Sequence, residues 1–266
     1  MSLNVCIAGA TGWVGRPLSA EVYRADDLKL VGAVSRSHQA ENLGGLLHEP
    51  GLDLVISASV AEALDRAQAD VLVDYTGPEV VKANVLAAID KGVHVVIGTS
   101  GLADDDFNEI DRAAIAKRVG VIAAGNFAIT AVLLQRFARE AARYLSHWEI
   151  IDYASATKVD APSGTTRELA FHLAQVREPE TVHPVEKTVG LKESRGATVN
   201  GSQIHSIRLP SYVIAVEVIF GEEDERLTIR HDAGAGAKPY LQGTLLAIRK
   251  VKNVVGLVRG LDSILD

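Results

Sequence analysis

The sequence has few of the residues that build disulfide or metal sites. Its 266 residues include one cysteine, Cys6, which excludes an intrachain disulfide and any site made of several cysteine ligands. His-Glu-x-x-His, Cys-x-x-Cys and carboxylate clusters at metal-ligand spacing are also missing. We therefore expect no metal site, and the scarcity of cysteine favours a reducing compartment, by default the cytoplasm.

Membrane and nucleic-acid partners are disfavoured as well. The sequence contains no apolar run of about 18 residues, the length that spans a bilayer, and its first residues lack the basic segment of a signal peptide. The net charge of −7 and the pI near 5.6 are opposite to the excess of Lys and Arg on a nucleic-acid-binding surface. We expect neither kind of partner.

The residues that are present predict two domains. A hydrophobic fraction of 47% is ample for a core, and the length suits about two domains. In residues 1–126, strands and helices alternate, which predicts an α/β fold with a doubly wound parallel sheet. Strands are predicted at 3–8, 28–34, 55–57, 70–76, 94–97 and 119–124, and helices from 15 to about 24 and at 60–68, 79–91 and 104–117. His94, in an apolar strand, is expected to be a hydrogen-bonded core histidine.

A glycine-rich turn follows the first predicted strand and precedes the first predicted helix. It reads Gly9-Ala10-Thr11-Gly12-Trp13-Val14-Gly15. We expect Gly9 to make a tight turn, Gly12 to let the backbone approach a pyrophosphate at the helix N-terminus, and Gly15 to let the helix lie close to the sheet. The motif predicts a Rossmann-type dinucleotide-binding domain.

The end of the second predicted strand bears on the choice of dinucleotide. A Rossmann fold usually places an acid there to bind the ribose 2′-hydroxyl, but this chain has Ser35-Arg36-Ser37. An arginine suits a 2′-phosphate. We therefore predict that NADPH is preferred and that NADH remains possible.

The second half of the chain has a different pattern. Helices are predicted at 130–145 and 163–176, and strands at 147–157, 203–209, 213–220 and 226–231, with a long polar excursion over 178–202. This grouping predicts an α+β domain, residues 127–239, built on a mixed or antiparallel sheet. Because residues 212–220 are nearly all apolar, both faces of that sheet should be covered, one by helices and the other by a subunit partner. The segment 240–266, with a helix at 240–251, is expected to pack back on the first domain.

One short stretch in this half is suited to chemistry on a small anion. It reads Lys158-Val159-Asp160-Ala161-Pro162-Ser163-Gly164-Thr165. Ser163 is a good N-cap, and the backbone N–H groups of Gly164 and Thr165 would face a carboxylate or phosphate at the positive end of the helix dipole. Lys158 would add a charge or a proton donor. The alternative is an ordinary strand-to-helix turn with a capping serine and a solvated lysine.

Taken together, these motifs resemble the bacterial dihydrodipicolinate reductases of lysine biosynthesis. The match rests on residues 9–15, Asp74-Tyr75-Thr76, Gly98-Thr99-Ser100-Gly101, Asn126-Phe127, 158–165 and Arg195-Gly196. The resemblance implies a homotetramer formed through the sheet of the second domain, and hydride transfer from NAD(P)H to a cyclic, unsaturated dicarboxylate.

The resemblance also implies roles for individual residues. Lys158 would be the proton donor, while Ser155, Gly164 and Thr165 would bind the substrate. The residues implied to hold the dinucleotide are Gly9, Ala10, Thr11, Gly12, Trp13, Val14, Arg36, Gly98, Thr99, Ser100, Ala124, Gly125, Asn126 and Phe127.

The sequence departs from the family pattern close to the lysine. The family typically has two adjacent histidines four and three residues before it, where this chain has Ala154 and Ser155. Three functions therefore remain open: a divergent reductase of the family, an NADP(H)-dependent reductase of another imine or amino-acid-like substrate, and a catalytically silent NADP(H)-binding protein.

Overall fold

The computed structural model describes residues 2–265, which form eight α-helices and eleven strands. The strands are β1 Leu3–Ala8, β2 Leu28–Val34, β3 Val71–Asp74, β4 His94–Ile97, β5 Gly120–Ala123, β6 Trp148–Ala154, β7 Ala197–Val199, β8 Ser202–Arg208, β9 Ile214–Glu222, β10 Glu225–Ala233 and β11 Gly256–Arg259. The helices are α1 Gly15–Arg24, α2 Leu43–Leu47, α3 Val60–Arg66, α4 Val81–Asp90, α5 Asp104–Lys117, α6 Ile129–Ala142, α7 Gly164–Ala174 and α8 Lys238–Lys250.

The chain divides into two compact units. Residues 1–129 with 237–266 form the first, and residues 130–236 form the second. In the first unit, six strands make a parallel sheet in the order β11-β5-β4-β3-β1-β2. The strands β3, β4 and β5 consist almost entirely of buried residues, as expected when helices cover both faces of a parallel sheet.

The second unit is built on a mixed sheet with the order β10-β9-β6-β8-β7. Its one parallel pair is β6 with β8, and the other neighbours are antiparallel. Apolar residues of α6 and α7 pack on one face of this sheet, where Ile150, Val218 and Phe220 are fully buried. The predicted fold class, a Rossmann-type sheet followed by an α+β domain on a mixed sheet, is confirmed.

Several predicted elements are wrong in detail. Residues 55–57 are not a strand, because Val55 and Ser57 make isolated bridges to two different segments and no ladder forms. The strand predicted at 147–157 ends at Ala154, because residues 155–158 close a turn in which the Lys158 N–H donates to the Ser155 carbonyl (3.0 Å). The short elements α2, β7 and β11 were not predicted.

Candidate active site

The glycine-rich turn between β1 and α1 leaves no room for larger residues. Gly9 has a φ of +81°, and a Cβ atom there would lie 2.3 Å from the Tyr75 carbonyl oxygen. A Cβ at Gly15 would lie 1.9 Å from the Gly9 carbonyl oxygen. Gly9 therefore makes the predicted tight turn, whereas Gly15 is required by the turn's own backbone rather than by contact of the helix with the sheet.

The same turn presents unpaired backbone donors at the start of α1. The N–H groups of Gly9 and Ala10 donate to the Val34 carbonyl. Within residues 2–265, no atom accepts a hydrogen bond from the N–H groups of Trp13, Val14 and Gly15. Free amides at a helix N-terminus bind phosphate, so the turn fits the pyrophosphate of a dinucleotide.

Side chains around the turn define its edges. The Thr11 and Ser35 hydroxyls are 2.7 Å apart and tie the turn to the end of β2. The Trp13 ring is 61% exposed and makes an edge contact with Tyr240 of α8, with centroids 5.6 Å apart. Arg36 follows Ser35, and its guanidinium is 3.4 Å from the Glu79 carboxylate.

Asp74 at the end of β3 is a buried residue that was not predicted as a site residue. Its carboxylate accepts hydrogen bonds from the Thr76 amide and hydroxyl, the Thr99 hydroxyl and the Asn84 side chain at 2.6 to 3.0 Å. It thereby fixes the loops that follow β3 and β4, including the predicted cofactor residues 98–100. The signals in the sequence were an acid at the end of an apolar strand and the place of Asp74-Tyr75-Thr76 among the motifs of the family resemblance.

The remaining predicted cofactor residues also lie at the carboxyl edge of the first sheet. A Cβ at Gly98 would lie 2.1 Å from the Tyr75 ring, which in turn contacts the Phe127 ring with centroids 6.1 Å apart. The Ala124 amide donates to the Ile97 carbonyl, and the Asn126 side-chain oxygen accepts from the Ala128 amide. All fourteen predicted cofactor residues are thus in the first unit, whereas Lys158, Ser155, Gly164 and Thr165 are in the second.

In the second unit, a buried carboxylate holds the turn before α7. Asp152 of β6 is fully buried and accepts from the Ser163 amide and the Thr166 hydroxyl, each at 2.9 Å. Arg208 of β8 donates to the same carboxylate at 2.7 Å and to the Asp160 carbonyl at 2.8 Å. Neither Asp152 nor Arg208 was predicted as a site residue, because their importance depends on pairing between distant strands.

The network keeps Asp152 ionised. Burial alone would raise the pKa of Asp152, but hydrogen bonds from Ser163, Arg208 and Thr166 outweigh burial and hold the pKa below its ordinary value. The Arg208 side chain is only 17% exposed, so the two charges form a largely desolvated pair.

The start of α7 has the predicted cap. The Ser163 hydroxyl accepts from the Thr166 amide, and within the described residues no acceptor takes the N–H groups of Gly164 and Thr165. A Cβ at Gly164 would meet nothing within 4 Å, which leaves the approach to these amides open.

Lys158 lies at the end of the turn after β6. Its Nζ is 2.7 Å from an Asp160 carboxylate oxygen, and this ammonium lowers the pKa of Asp160. Asp160 is therefore ionised at neutral pH and forms an ion pair with the lysine.

The two positions at which the family usually has histidines have different surroundings here. Ala154 is fully buried within the sheet, while the Ser155 hydroxyl is half-buried and lies 3.0 Å from the Thr157 hydroxyl. Two other histidines have local partners: His205 bonds to Glu149 (2.7 Å), and His231 bonds to Thr130 (3.1 Å). Neither pair includes Lys158 or the residues that start α7.

The described residues contain neither a cluster of metal ligands nor a helix that could span a membrane. Between residues 2 and 265, no three side chains of His, Cys, Asp or Glu come together as metal ligands. None of the helices in this part of the chain has the length and apolar character that crossing a bilayer requires.

The parallel sheet, the glycine turn and the free amides define a two-unit α/β protein of the dinucleotide-binding class. Two family models divide the chain between them: "Dihydrodipicolinate reductase, N-terminus" matches residues 3–127, and "Dihydrodipicolinate reductase, C-terminus" matches residues 130–265. The chain belongs to the dihydrodipicolinate reductase family, which consists of NAD(P)H-dependent oxidoreductases.

Individual relatives agree along the whole chain. The 4-hydroxy-tetrahydrodipicolinate reductase of Moorella thermoacetica is 38% identical over 100% of this chain and 98% of its own length. That of Geobacillus thermodenitrificans is 39% identical over 100% of both chains. A dipicolinate-bound dihydrodipicolinate reductase from Paenisporosarcina sp. TG-14 superposes with a TM-score of 0.88 at 31% identity, covering 100% of both chains.

Proposed function

We propose that this enzyme reduces 4-hydroxy-tetrahydrodipicolinate with NAD(P)H, the activity for which its full-length relatives are named. The observation that carries the proposal is the start of α7, where Asp152 and Arg208 hold the Ser163 turn so that the amides of Gly164 and Thr165 stay free for a carboxylate. That geometry suits a substrate of the same kind as the dipicolinate bound to the Paenisporosarcina relative.

The dinucleotide would bind in the first unit. When bound, NAD(P)H supplies the hydride. The turn at residues 9–14 would hold the pyrophosphate through its free amides, while residues 98–100 and 124–127 would line the rest of the cofactor cleft. Arg36 would bind the 2′-phosphate of NADPH, which makes NADPH the preferred cofactor, with NADH also accepted.

Lys158 would complete the reduction as the proton donor. Reducing a double bond places a hydride on one atom and a proton on the other, so the substrate needs an acid. The Asp160 carboxylate lies 2.7 Å from the Lys158 Nζ and limits the motion of that atom. Ser155, Gly164 and Thr165 would orient the substrate by hydrogen bonds to its carboxylates.

A second candidate function follows from Ala154 and Ser155. An alanine cannot exchange a proton, and a serine binds a carboxylate without the charge of an imidazolium. Recognition built on different side chains implies a different preference among substrates. The second candidate is therefore reduction of another imine or amino-acid-like compound by the same residues.

The test is to couple the purified enzyme to a dihydrodipicolinate synthase and to follow NADPH absorbance. We expect consumption of NADPH, and Lys158→Met should lower kcat by about 10²- to 10⁴-fold because the proton donor is lost. Lys192→Met, which changes an exposed lysine of the 178–202 excursion, is the matched control and should leave kcat unchanged. Cofactor binding without turnover would reject this substrate and leave two functions: the second candidate and a catalytically silent NADP(H)-binding protein.

We also propose that the enzyme is a cytoplasmic homotetramer assembled through the sheet of its second unit. The helices cover one face of this sheet, and on the other face Tyr153, Glu217 and Arg230 contact one another. Sedimentation equilibrium should give four times the chain mass of 28.3 kDa, and a monomeric mass would contradict the proposal.

A further inference from the structure

Arg36 and Glu79 meet across the strand that carries the glycine-rich turn. In the first sheet, β1 lies between β2 and β3. Arg36 follows β2 and Glu79 follows β3, so their side chains approach from loops on opposite sides of that turn. The guanidinium and the carboxylate are 3.4 Å apart.

The Glu79 carboxylate lies over the backbone of its own loop. Both of its oxygens lie 2.8 Å from the position that a Cβ would occupy at Gly77. A residue larger than glycine at position 77 would displace this carboxylate. The ion pair itself is exposed, with 77% of the Arg36 side chain and 55% of the Glu79 side chain accessible, so water screens it and little free energy opposes its opening.

The two side chains offer complementary chemistry to the ribose of a dinucleotide. An acid near the end of the second strand usually accepts a hydrogen bond from the 2′-hydroxyl of NADH, and an arginine there binds the 2′-phosphate of NADPH. The end of β2 supplies Arg36 without an acid. Glu79 supplies the missing carboxylate from a different loop.

We propose that Glu79 is a specificity-determining residue that sets the balance between NADPH and NADH. With NADH, Glu79 accepts the 2′-hydroxyl while Arg36 neutralises the carboxylate. With NADPH, the 2′-phosphate replaces Glu79 as the partner of Arg36, and the displaced carboxylate repels the phosphate. The inference rests on the proposed cofactor role of Arg36.

The experiment compares Kd for NADPH and for NADH by fluorescence titration at one fixed salt concentration. Glu79→Gln should bind NADPH about fivefold more tightly, because a competitor for Arg36 and a like charge are both removed. The same variant should bind NADH several-fold more weakly, because an amide is a poorer acceptor for the 2′-hydroxyl than a carboxylate. The ratio of the two Kd values should therefore shift by about tenfold or more.

Two further variants separate the possible outcomes. Asp26→Asn removes an exposed carboxylate at the opposite, amino edge of the sheet and should leave the ratio unchanged. Arg36→Ala should weaken NADPH binding far more than NADH binding. One outcome is that Arg36→Ala changes the ratio of the two Kd values while Glu79→Gln, like Asp26→Asn, leaves it unchanged. In that case the proposed role of Glu79 is wrong and that of Arg36 stands. An unchanged ratio in Arg36→Ala would overturn both, since the exchange takes place at Arg36.

Discussion

Replacing Asp152 should affect stability and catalysis together. This carboxylate binds the Ser163 amide, the Thr166 hydroxyl and the Arg208 guanidinium, and therefore holds the turn before α7. In Asp152→Asn the shape is kept but the charge is lost. The side-chain oxygen of the asparagine can still accept some of these hydrogen bonds, but the neutral side chain cannot balance the positive charge of Arg208.

The magnitude follows from the burial of the pair. Asp152 is 0% exposed and the Arg208 side chain is 17% exposed, so the variant leaves a cation with little access to water. Removing one partner of a buried ion pair destabilises by about 3–5 kcal/mol, and the retained hydrogen bonds place this variant near the lower end of that range. The turn at residues 158–165 would then lose its fixed position, and kcat should fall with stability.

Urea unfolding followed by the fluorescence of Trp148 measures the effect in the second unit. Trp148 is buried there and donates to the Ser202 hydroxyl, and Trp13→Phe removes the only other tryptophan. Asp232→Asn in the same unit is the control, because the side chain of Asp232 is 57% exposed in its pair with Arg230, and we expect a loss of about 0–1 kcal/mol.

The pH dependence of the free energy of unfolding tests the electrostatic part of this stabilisation. Because the folded state lowers the pKa of Asp152, its contribution is fully present above the unfolded value of about 3.9 and is lost as pH falls further. Asp152→Asn lacks this contribution at every pH. The difference in unfolding free energy between the wild type and the variant should therefore narrow below about pH 4. A variant that unfolds within 1 kcal/mol of the wild type at pH 7, with unchanged kcat, would refute the reasoning.

Three other predictions concern the first unit. Gly15→Ala would place a Cβ 1.9 Å from a carbonyl oxygen of the glycine-rich turn and should weaken NADPH binding more than tenfold. Gly45→Ala is the control, because a Cβ there meets nothing within 4 Å, and it should bind NADPH as the wild type does. Equal Kd values for the two variants would contradict this prediction. Burial and the charge of Lys252 lower the pKa of His94, whose Nδ1 accepts a hydrogen bond from the Gly120 amide. Because protonation of His94 is then favoured in the unfolded state, the free energy of unfolding should fall as pH drops below about 6.5. Urea titrations of His94→Gln should lack this pH dependence. Burial raises the pKa of the Cys6 thiol to about 12, so a thiol reagent should label it only after unfolding, and rapid labelling of the folded enzyme would contradict this.

Local spacing accounts for the features that the sequence predicted well. The glycine triplet, the N-cap at Ser163 and the apolar strands each depend on neighbouring residues, and the structure contains all of them. The resemblance to the dihydrodipicolinate reductases, which came from motifs spread along the chain, is confirmed as the family. The residue roles implied by that resemblance stay predictions.

Features that depend on distant partners were not predictable in the same way. The strand β11 forms only because β5 offers it a free edge, and its four residues carry little periodicity of their own. Arg208 looks like any polar residue at a strand end until β8 pairs with β6 and brings it to Asp152. Glu79 resembles a solvated loop residue until the order of strands brings it to Arg36.

Asp74 and Asp152 show why each unit needs a carboxylate, rather than an amide, at or near the end of a strand. Each is fully buried and accepts at least four hydrogen bonds. The donors include Thr99 for Asp74, and Ser163 and Thr166 for Asp152, which lie in or beside segments that carry predicted ligand residues. An asparagine offers one oxygen and adds two donors of its own, so it could not satisfy such a set of donors in either place. Loops fixed in this way hold their free amides in position before a ligand arrives, which lowers the entropy lost on binding. The departures at Ala154 and Ser155 leave this support intact, because the bonds to Asp152 come from Ser163, Thr166, Ser206 and Arg208. A changed substrate preference is therefore compatible with the same rigid anion-binding turn.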